Sequence, residues 1–151
     1  MEPVPIRVYT DMCADLCHYG HFIFISNLYK ITQSVYPDQD IQVIVGIHSD
    51  ETIASYKRTP IQTMEERMNM VSFHSNVMTV IPNAPLIVTN EYLALHNINH
   101  LGVGGGKDTA TLEHMYGAIN VPKSYIPYTN TVSTTELIQR CANHVKKYDI
   151  S

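Results

Sequence analysis

Residues 41–48 read IQVIVGIH. A short, nearly unbroken apolar run rich in β-branched residues is the pattern of a strand covered on both faces, and such strands belong to parallel sheets flanked by helices. Related runs at Ile6–Met12, Val77–Ile81, Ile98–Val103 and Ser124–Tyr128 predict four more strands. Helix-like stretches fall between them. Over Phe22–Val35, the residues Phe24, Leu28, Ile31 and Val35 recur at helical spacing, and Tyr36-Pro37-Asp38 ends the run. A capping box at Thr63–Glu66 (TMEE) opens a helix to about Phe73. Thr89–His96 and Thr109–Tyr116 predict two more, the second stopped by Gly117. Another capping box at Ser133–Glu136 (STTE) opens the last helix, which runs to about Lys147. Strand and helix alternate five times, which predicts an α/β, Rossmann-like three-layer αβα sandwich. Its five-stranded sheet is parallel, with right-handed crossovers. A chain of 151 residues suits a single domain over 1–151 that buries roughly 70% of its unfolded surface.

A net charge of −4 gives no bulk electrostatic case for binding nucleic acid or an anionic membrane. No apolar stretch approaches the ~20 residues of a membrane span, and MEPVPIRV leads into a strand rather than a signal sequence. Three cysteines, Cys13, Cys17 and Cys141, are an odd number without framework spacing. A reduced, cytoplasmic protein is the simplest expectation.

In doubly wound sheets, ligands sit beyond the carboxyl ends of the strands. The first strand ends at Met12, and the segment after it closes in His18-Tyr19-Gly20-His21 at the mouth of a helical run. Two imidazoles beside a helix N-terminus, where backbone N–H groups favour an anion, suit phosphate chemistry. Two other readings compete. The H-x-x-H spacing also fits ordinary structural histidines. Cys13, Cys17, His18 and His21 also offer four potential metal ligands. Zinc ligands usually come as pairs on separate elements, however, and the adjacency of Cys17 and His18 works against tetrahedral closure. No protein metal site is assigned.

The motif VYTDMCADLCHYGH (8–21) resembles the signature of the cytidylyltransferases, in which a strand and a small loop lead into H-x-G-H. Residues 46–71 (GIHSDETIASYKRTPIQTMEERMNMV) resemble the second block of the phosphoethanolamine and phosphocholine enzymes. Residues 131–140 (TVSTTELIQR) resemble their third block, and GKDT (106–109) resembles a stretch of the ethanolamine branch. The similarity runs in order over about residues 6–140.

The resemblance implies CMP transfer from CTP to a small phosphorylated alcohol (phosphoethanolamine, phosphocholine or glycerol 3-phosphate), with pyrophosphate released and Mg²⁺ accompanying CTP. His18, His21 and Lys57 are the implied catalytic residues. Cys13, Ala14, His18, Gly20, His21, Lys57, Tyr128, Thr129, Val132, Ser133 and Thr134 are implied to bind nucleotide. Lys57 and Arg67 are implied to contact substrate phosphate, and Asp15 to orient the loop. A homodimer is also implied. The chain departs from the family pattern at several positions. Met12 replaces a glycine and Ala14 an aromatic. Tyr128 stands where the third block has an arginine, and Thr131 where it has a glycine. After Gly102 no acid follows until Asp108. A catalytically degenerate nucleotide-binding relative and an adenylyltransferase of the same superfamily are the alternatives.

Overall fold

A computed structural model describes residues 2–150. Eleven elements follow in the order β1 (Ile6–Met12), α1 (Tyr19–Val35), β2 (Ile41–Ile47), α2 (Asp50–Tyr56), α3 (Met64–Ser72), β3 (Val77–Ile81), α4 (Asn90–Leu95), β4 (His100–Gly104), α5 (Thr109–Tyr116), β5 (Lys123–Ile126) and α6 (Thr134–Tyr148). The sheet order is β3-β2-β1-β4-β5, and every pairing is parallel. The expected α/β sandwich with a five-stranded parallel sheet is therefore the observed fold.

Alternation along the strands divides the core in two. Val8, Val43 and Val45 point to the side covered by Ile25 and Leu28 of α1 and Val71 of α3. Tyr9 and Ile44 point to the other side, against Leu93 of α4 and Tyr116 of α5. Val43, Ile44, Val45 and Ile47 are all fully buried, as the apolar run in β2 requires.

Several boundaries differ from the sequence reading, and one helix was not expected. Strand β5 spans Lys123–Ile126 rather than Ser124–Tyr128, so Tyr128 lies in the loop beyond it. Helix α1 starts at Tyr19 rather than Phe22, because the His18 side chain caps it. Its packed stripe is Ile25, Leu28 and Thr32, while Val35 is exposed at its C-terminal end. Helix α2 was not predicted: it is two turns long, too short for its apolar pattern to register, and Ser49 caps it by accepting from the Thr52 N–H. Strand β4 starts at His100 rather than Ile98. Asn99 is occupied at the sheet end, where its side chain accepts from the Arg7 N–H and donates to the Pro5 carbonyl.

The strand order reverses between β1 and β4, whose connections leave in opposite directions. The carboxyl ends of these two strands form the crevice in which ligands of such sheets bind.

Candidate active site

Two cavities open in that crevice. The first, about 370 Å³, is lined by the ends of β1, β4 and β5, by His18, Gly20 and His21, and by residues 127–129 and 131–135. The second, about 630 Å³, reaches from Asp11 and His48 past Tyr56 to Tyr116. They share Asp11, Met12, His21, Lys57 and Thr134.

His18 is the N-cap of α1. Its Nδ1 accepts from the Gly20 N–H at 3.1 Å, and Nδ1 of His21 accepts from the His18 N–H at 3.1 Å. This is a capping box built from two histidines. Each Nδ1 is occupied as an acceptor, so each neutral ring carries its proton on Nε2 and offers it as a donor. The rings lie 4.1 Å apart between centroids. Burial lowers the basicity of both. For His21 the charges of His18 and Lys57 add to burial and bring the pKa to about 4. In the free protein at neutral pH both rings are therefore neutral N–H donors rather than imidazolium ions. Gly20 makes the arrangement possible, since a Cβ there would collide with Thr131 Oγ1 and lie 2.8 Å from His18 Cε1.

The loop between β1 and α1 is held from outside. Ala14 and Leu16 have φ of 56° and 47°, which L-residues adopt only when surrounding contacts enforce it. Asp15, 2% exposed, supplies such contacts: its carboxylate accepts from the N–H groups of Ile61 and Gln62, both at 2.9 Å. Its own carbonyl accepts from the Thr134 hydroxyl at 2.9 Å. Asp15 thus ties together the phosphate-loop region, the start of α3 and the start of α6.

Arg67 is placed differently from the expected substrate contact. Its side chain is fully buried. Nη1 donates to the carbonyls of Cys13 and His48 at 2.8 and 2.9 Å, Nε to Gln62 O, and Nη2 to Asp50 Oδ1 at 2.7 Å. It lines neither cavity. Its guanidinium is committed to the scaffold and is not available to a phosphate in this structure.

The remaining site residues divide between the cavities. Tyr128, Thr129, Val132, Ser133 and Thr134 line the first, while Cys13 and Ala14 line the second. Lys57, at the end of α2, lines both. Ser133 caps α6, its hydroxyl accepting from the Glu136 N–H at 3.0 Å. Thr134 has donated its hydroxyl proton to Asp15 O, whereas Ser133 Oγ only accepts and keeps its O–H. What α6 offers an anion is that hydroxyl together with the free backbone N–H groups of its first turn.

Sequence reasoning missed Asp11, His48, Tyr56 and Tyr116 in the second cavity. For Asp11 and His48 a signal existed: they sit at the carboxyl ends of adjacent strands, joined where the His48 N–H donates to Met12 O. Tyr56 and Tyr116 end helices and carried no such signal.

A parallel doubly wound sheet with a histidine-capped helix at its switch point defines a nucleotidyltransferase-type α/β domain. Residues 9–140 match the family model described as cytidylyltransferase-like, and the chain belongs to that family. It is 36% identical over 139 residues to the ethanolamine-phosphate cytidylyltransferase of Mus musculus, covering 89% of this chain and 32% of the relative. Identity to the Dictyostelium discoideum enzyme of the same name is 35% over 143 residues (90% and 36% covered). With choline-phosphate cytidylyltransferase A of Homo sapiens it is 30% over 149 residues (97% and 38% covered). The chain thus spans about a third of the length of these curated relatives. A lipopolysaccharide core biosynthesis protein from Thermoplasma volcanium GSS1 shares the fold, with a TM-score of 0.61, 17% identity and coverage of 84% and 98%.

Proposed function

We propose that the protein transfers CMP from CTP to a small phosphorylated alcohol and releases pyrophosphate. The observation that carries this reading is the pair of cavities meeting at His21 and Lys57. The first takes the nucleotide, with its triphosphate on the Nε2–H donors of His18 and His21 and on the amides at the start of α6. The second takes the acceptor. An oxygen of the acceptor phosphate attacks the α-phosphorus, and the bond to the β-phosphate oxygen breaks with its electron pair leaving on pyrophosphate. No covalent enzyme intermediate is needed, so the protein works by positioning and by stabilising charge. Lys57 stands between the two phosphates, and its flexible ammonium can follow the charge as it moves. Asp15 and Arg67 contribute by holding the loop.

Mg²⁺ accompanies the triphosphate in this reading. It is held largely through phosphate oxygens and water, which requires few protein ligands. Among the described residues no cluster of three or more histidine, cysteine, aspartate or glutamate side chains is poised for a metal, and the Asp11 carboxylate is the one acid lining the first cavity. A homodimer is part of the proposal, supported by the exposed apolar residues Met70, Phe73 and Met78 beside the edge strand β3. A cytoplasmic location is also proposed. The cysteines are unpaired, and no described helix is long and apolar enough to cross a membrane.

One observation favours a second reading. Lys57 is the only lysine or arginine lining the first cavity among the described residues, and Tyr128 presents a 71% exposed phenol there. Sparse cations would suit a relative that binds nucleotide without turnover. Pyrophosphate release decides, measured with CTP or ATP, Mg²⁺ and each of phosphoethanolamine, phosphocholine and glycerol 3-phosphate. Turnover with CTP that His18→Ala abolishes supports the transferase. A preference for ATP identifies an adenylyltransferase. Calorimetric CTP binding without release identifies the binding protein.

A further inference from the structure

Cys13 follows the last residue of β1, is unpaired and half-buried, and lines the second cavity. His48, 6% exposed, follows the last residue of β2 and lines the same cavity. Their backbones are held side by side: the His48 N–H donates to Met12 O at 3.2 Å, and Arg67 Nη1 holds the carbonyls of Cys13 and His48. The His48 Nδ1 lies 3.0 Å from the Tyr56 hydroxyl. That phenol is pushed up to about 12, first by burial and next by the charge of Cys13, so the thiol sits in the neighbourhood of the Tyr56–His48 pair. The Nε2 of His48 is buried and has no hydrogen-bond partner. Asp11 Oδ2, 3.6 Å away, is too far to supply one. With the ring proton on Nδ1 and donated to Tyr56 Oη, Nε2 is an unsatisfied acceptor in the wall of the cavity, and such an acceptor is costly. A thiol proton would satisfy it.

We propose that Cys13 is a covalent control site in the wall of the second cavity, which forms a reversible mixed disulfide with a small anionic disulfide while His48 handles the proton. His48 Nε2 takes the thiol proton, and the Asp11 carboxylate faces the imidazolium so formed. The Cys13 thiolate attacks one sulfur of the incoming disulfide. A new S–S bond forms as the old one breaks, and the departing thiolate takes the proton back from His48. Lys57 and Lys107 line the cavity, and of its two acids the Asp15 carboxylate is occupied by the Ile61 and Gln62 amides, so an anionic reagent is favoured over a neutral one. The other two cysteines lack this setting. Burial pushes the Cys17 thiol up to about 11, which leaves little nucleophilic thiolate near neutral pH. Cys141 is exposed on α6 and lines neither cavity. An adduct on Cys13 occupies the space proposed for the acceptor and leaves the first cavity open, because Cys13 lines only the second. The resulting inhibition rests on the transferase reading; the thiol chemistry does not.

The test treats the full chain with glutathione disulfide near neutral pH and maps the adducts by peptide mass spectrometry, with iodoacetate and iodoacetamide as an anionic and a neutral probe of the same thiols. Glutathione is expected on Cys13 and not on Cys17. The ratio of iodoacetate to iodoacetamide rates is expected to be about tenfold higher at Cys13 than at Cys141. His48→Leu is expected to slow Cys13 labelling about tenfold and to leave Cys141 unchanged. Tyr56→Phe removes the acceptor for the Nδ1 proton, is expected to act in the same direction, and carries the comparison if His48→Leu does not fold. The glutathionylated protein is expected to lose pyrophosphate release, to keep calorimetric CTP binding, and to recover turnover with dithiothreitol. Cys13→Ser is expected to keep its own untreated turnover, whatever its level, after the same treatment. Labelling of Cys141 alone, a Cys13–Cys17 bridge in place of the adduct, equal probe ratios at Cys13 and Cys141, or a Cys13 rate unchanged in both variants overturns the inference. So does a modified protein that still turns over or that no longer binds CTP; each of these leaves the transferase reading standing. An untreated wild type without turnover overturns the proposed function and the inhibition with it, while the labelling rates still decide the thiol chemistry.

Discussion

Arg67 Nη1 donates to the carbonyl oxygen of Cys13 at 2.8 Å, joining α3 to the loop after β1 across 54 residues of sequence. The same nitrogen reaches His48 O at 2.9 Å, so one guanidinium bridges the carboxyl ends of β1 and β2. Removing it leaves the carbonyls of Cys13, His48 and Gln62, and the Asp50 carboxylate, without that partner. Arg67→Met is expected to cost about 3 kcal/mol or more of unfolding free energy, read from denaturant melts. Turnover falls with the folded fraction. A phosphate-contacting arginine would instead raise KM at unchanged stability, so the two roles separate in one pair of measurements.

Gly20 and Thr131 are fitted to each other in the same way. A Cβ on residue 20 would overlap Thr131 Oγ1 and press on the His18 ring at 2.8–2.9 Å. Gly20→Ala is expected to destabilise by about 1–2 kcal/mol, because overpacking outweighs the gain in helix propensity. Activity should fall further than stability, since the displaced ring faces the first cavity, proposed to take the nucleotide. Adding Thr131→Gly is expected to restore most of both. A double variant no better than Gly20→Ala alone would show that the His18 ring, not Thr131, is the obstacle.

The pKa of His21, lowered to about 4 mainly by burial, sets a pH dependence of defined sign. Between the unfolded value near 6.5 and about 4, the unfolded chain binds a proton that the folded chain refuses. Stability therefore declines as pH falls through that window, by at most about 3 kcal/mol from this group. Above the unfolded value it contributes no slope. NMR titration of the His21 ring checks this directly: the ring is expected to stay neutral down to about pH 4 in the free protein. Bound triphosphate favours the charged form, so the midpoint is expected to rise when CTP is added. A midpoint near 6.5 in the free protein would mean that the ring is solvated and that the histidine capping box is not formed.

The sheet was legible from sequence because its signal is local. β1, β3 and α5 stand where apolar runs and stop residues put them, and β2 needed only its unbroken Val-Ile-Val core. The histidine motif was legible for the same reason. Arg67 was not: its role depends on carbonyls brought up at the ends of β1 and β2, which pattern alone does not locate, and the resemblance assigned it to substrate phosphate instead. Asp15 lies between these cases. The family resemblance implied an orienting role for it, and its two amide donors come from residues 61 and 62. The second cavity was the least legible part. Its lining is gathered from the end of β1 and the loop after it, from His48 just past β2, from α2, from the segment after β3 and from α5, so no single stretch of sequence announces it.

Tyr128 lines the first cavity and is 71% exposed, at a position that costs the core nothing to change. The neighbouring charges are few: Lys57 supplies the fixed positive charge, Asp11 opposes it, and the two histidines are neutral near pH 7. A guanidinium at position 128 would add a charge-assisted donor for a polyanion, worth about 1.5–3 kcal/mol when well placed. Tyr128→Arg is accordingly expected to lower the Kd for CTP about tenfold at low salt, with a steeper loss of affinity as ionic strength rises. Stability should stay within about 0.5 kcal/mol of the wild type. Calorimetry of CTP binding at two salt concentrations measures both effects. An unchanged Kd at low salt would show that the triphosphate does not pass within reach of residue 128, and would move it toward Lys57 and the junction of the two cavities.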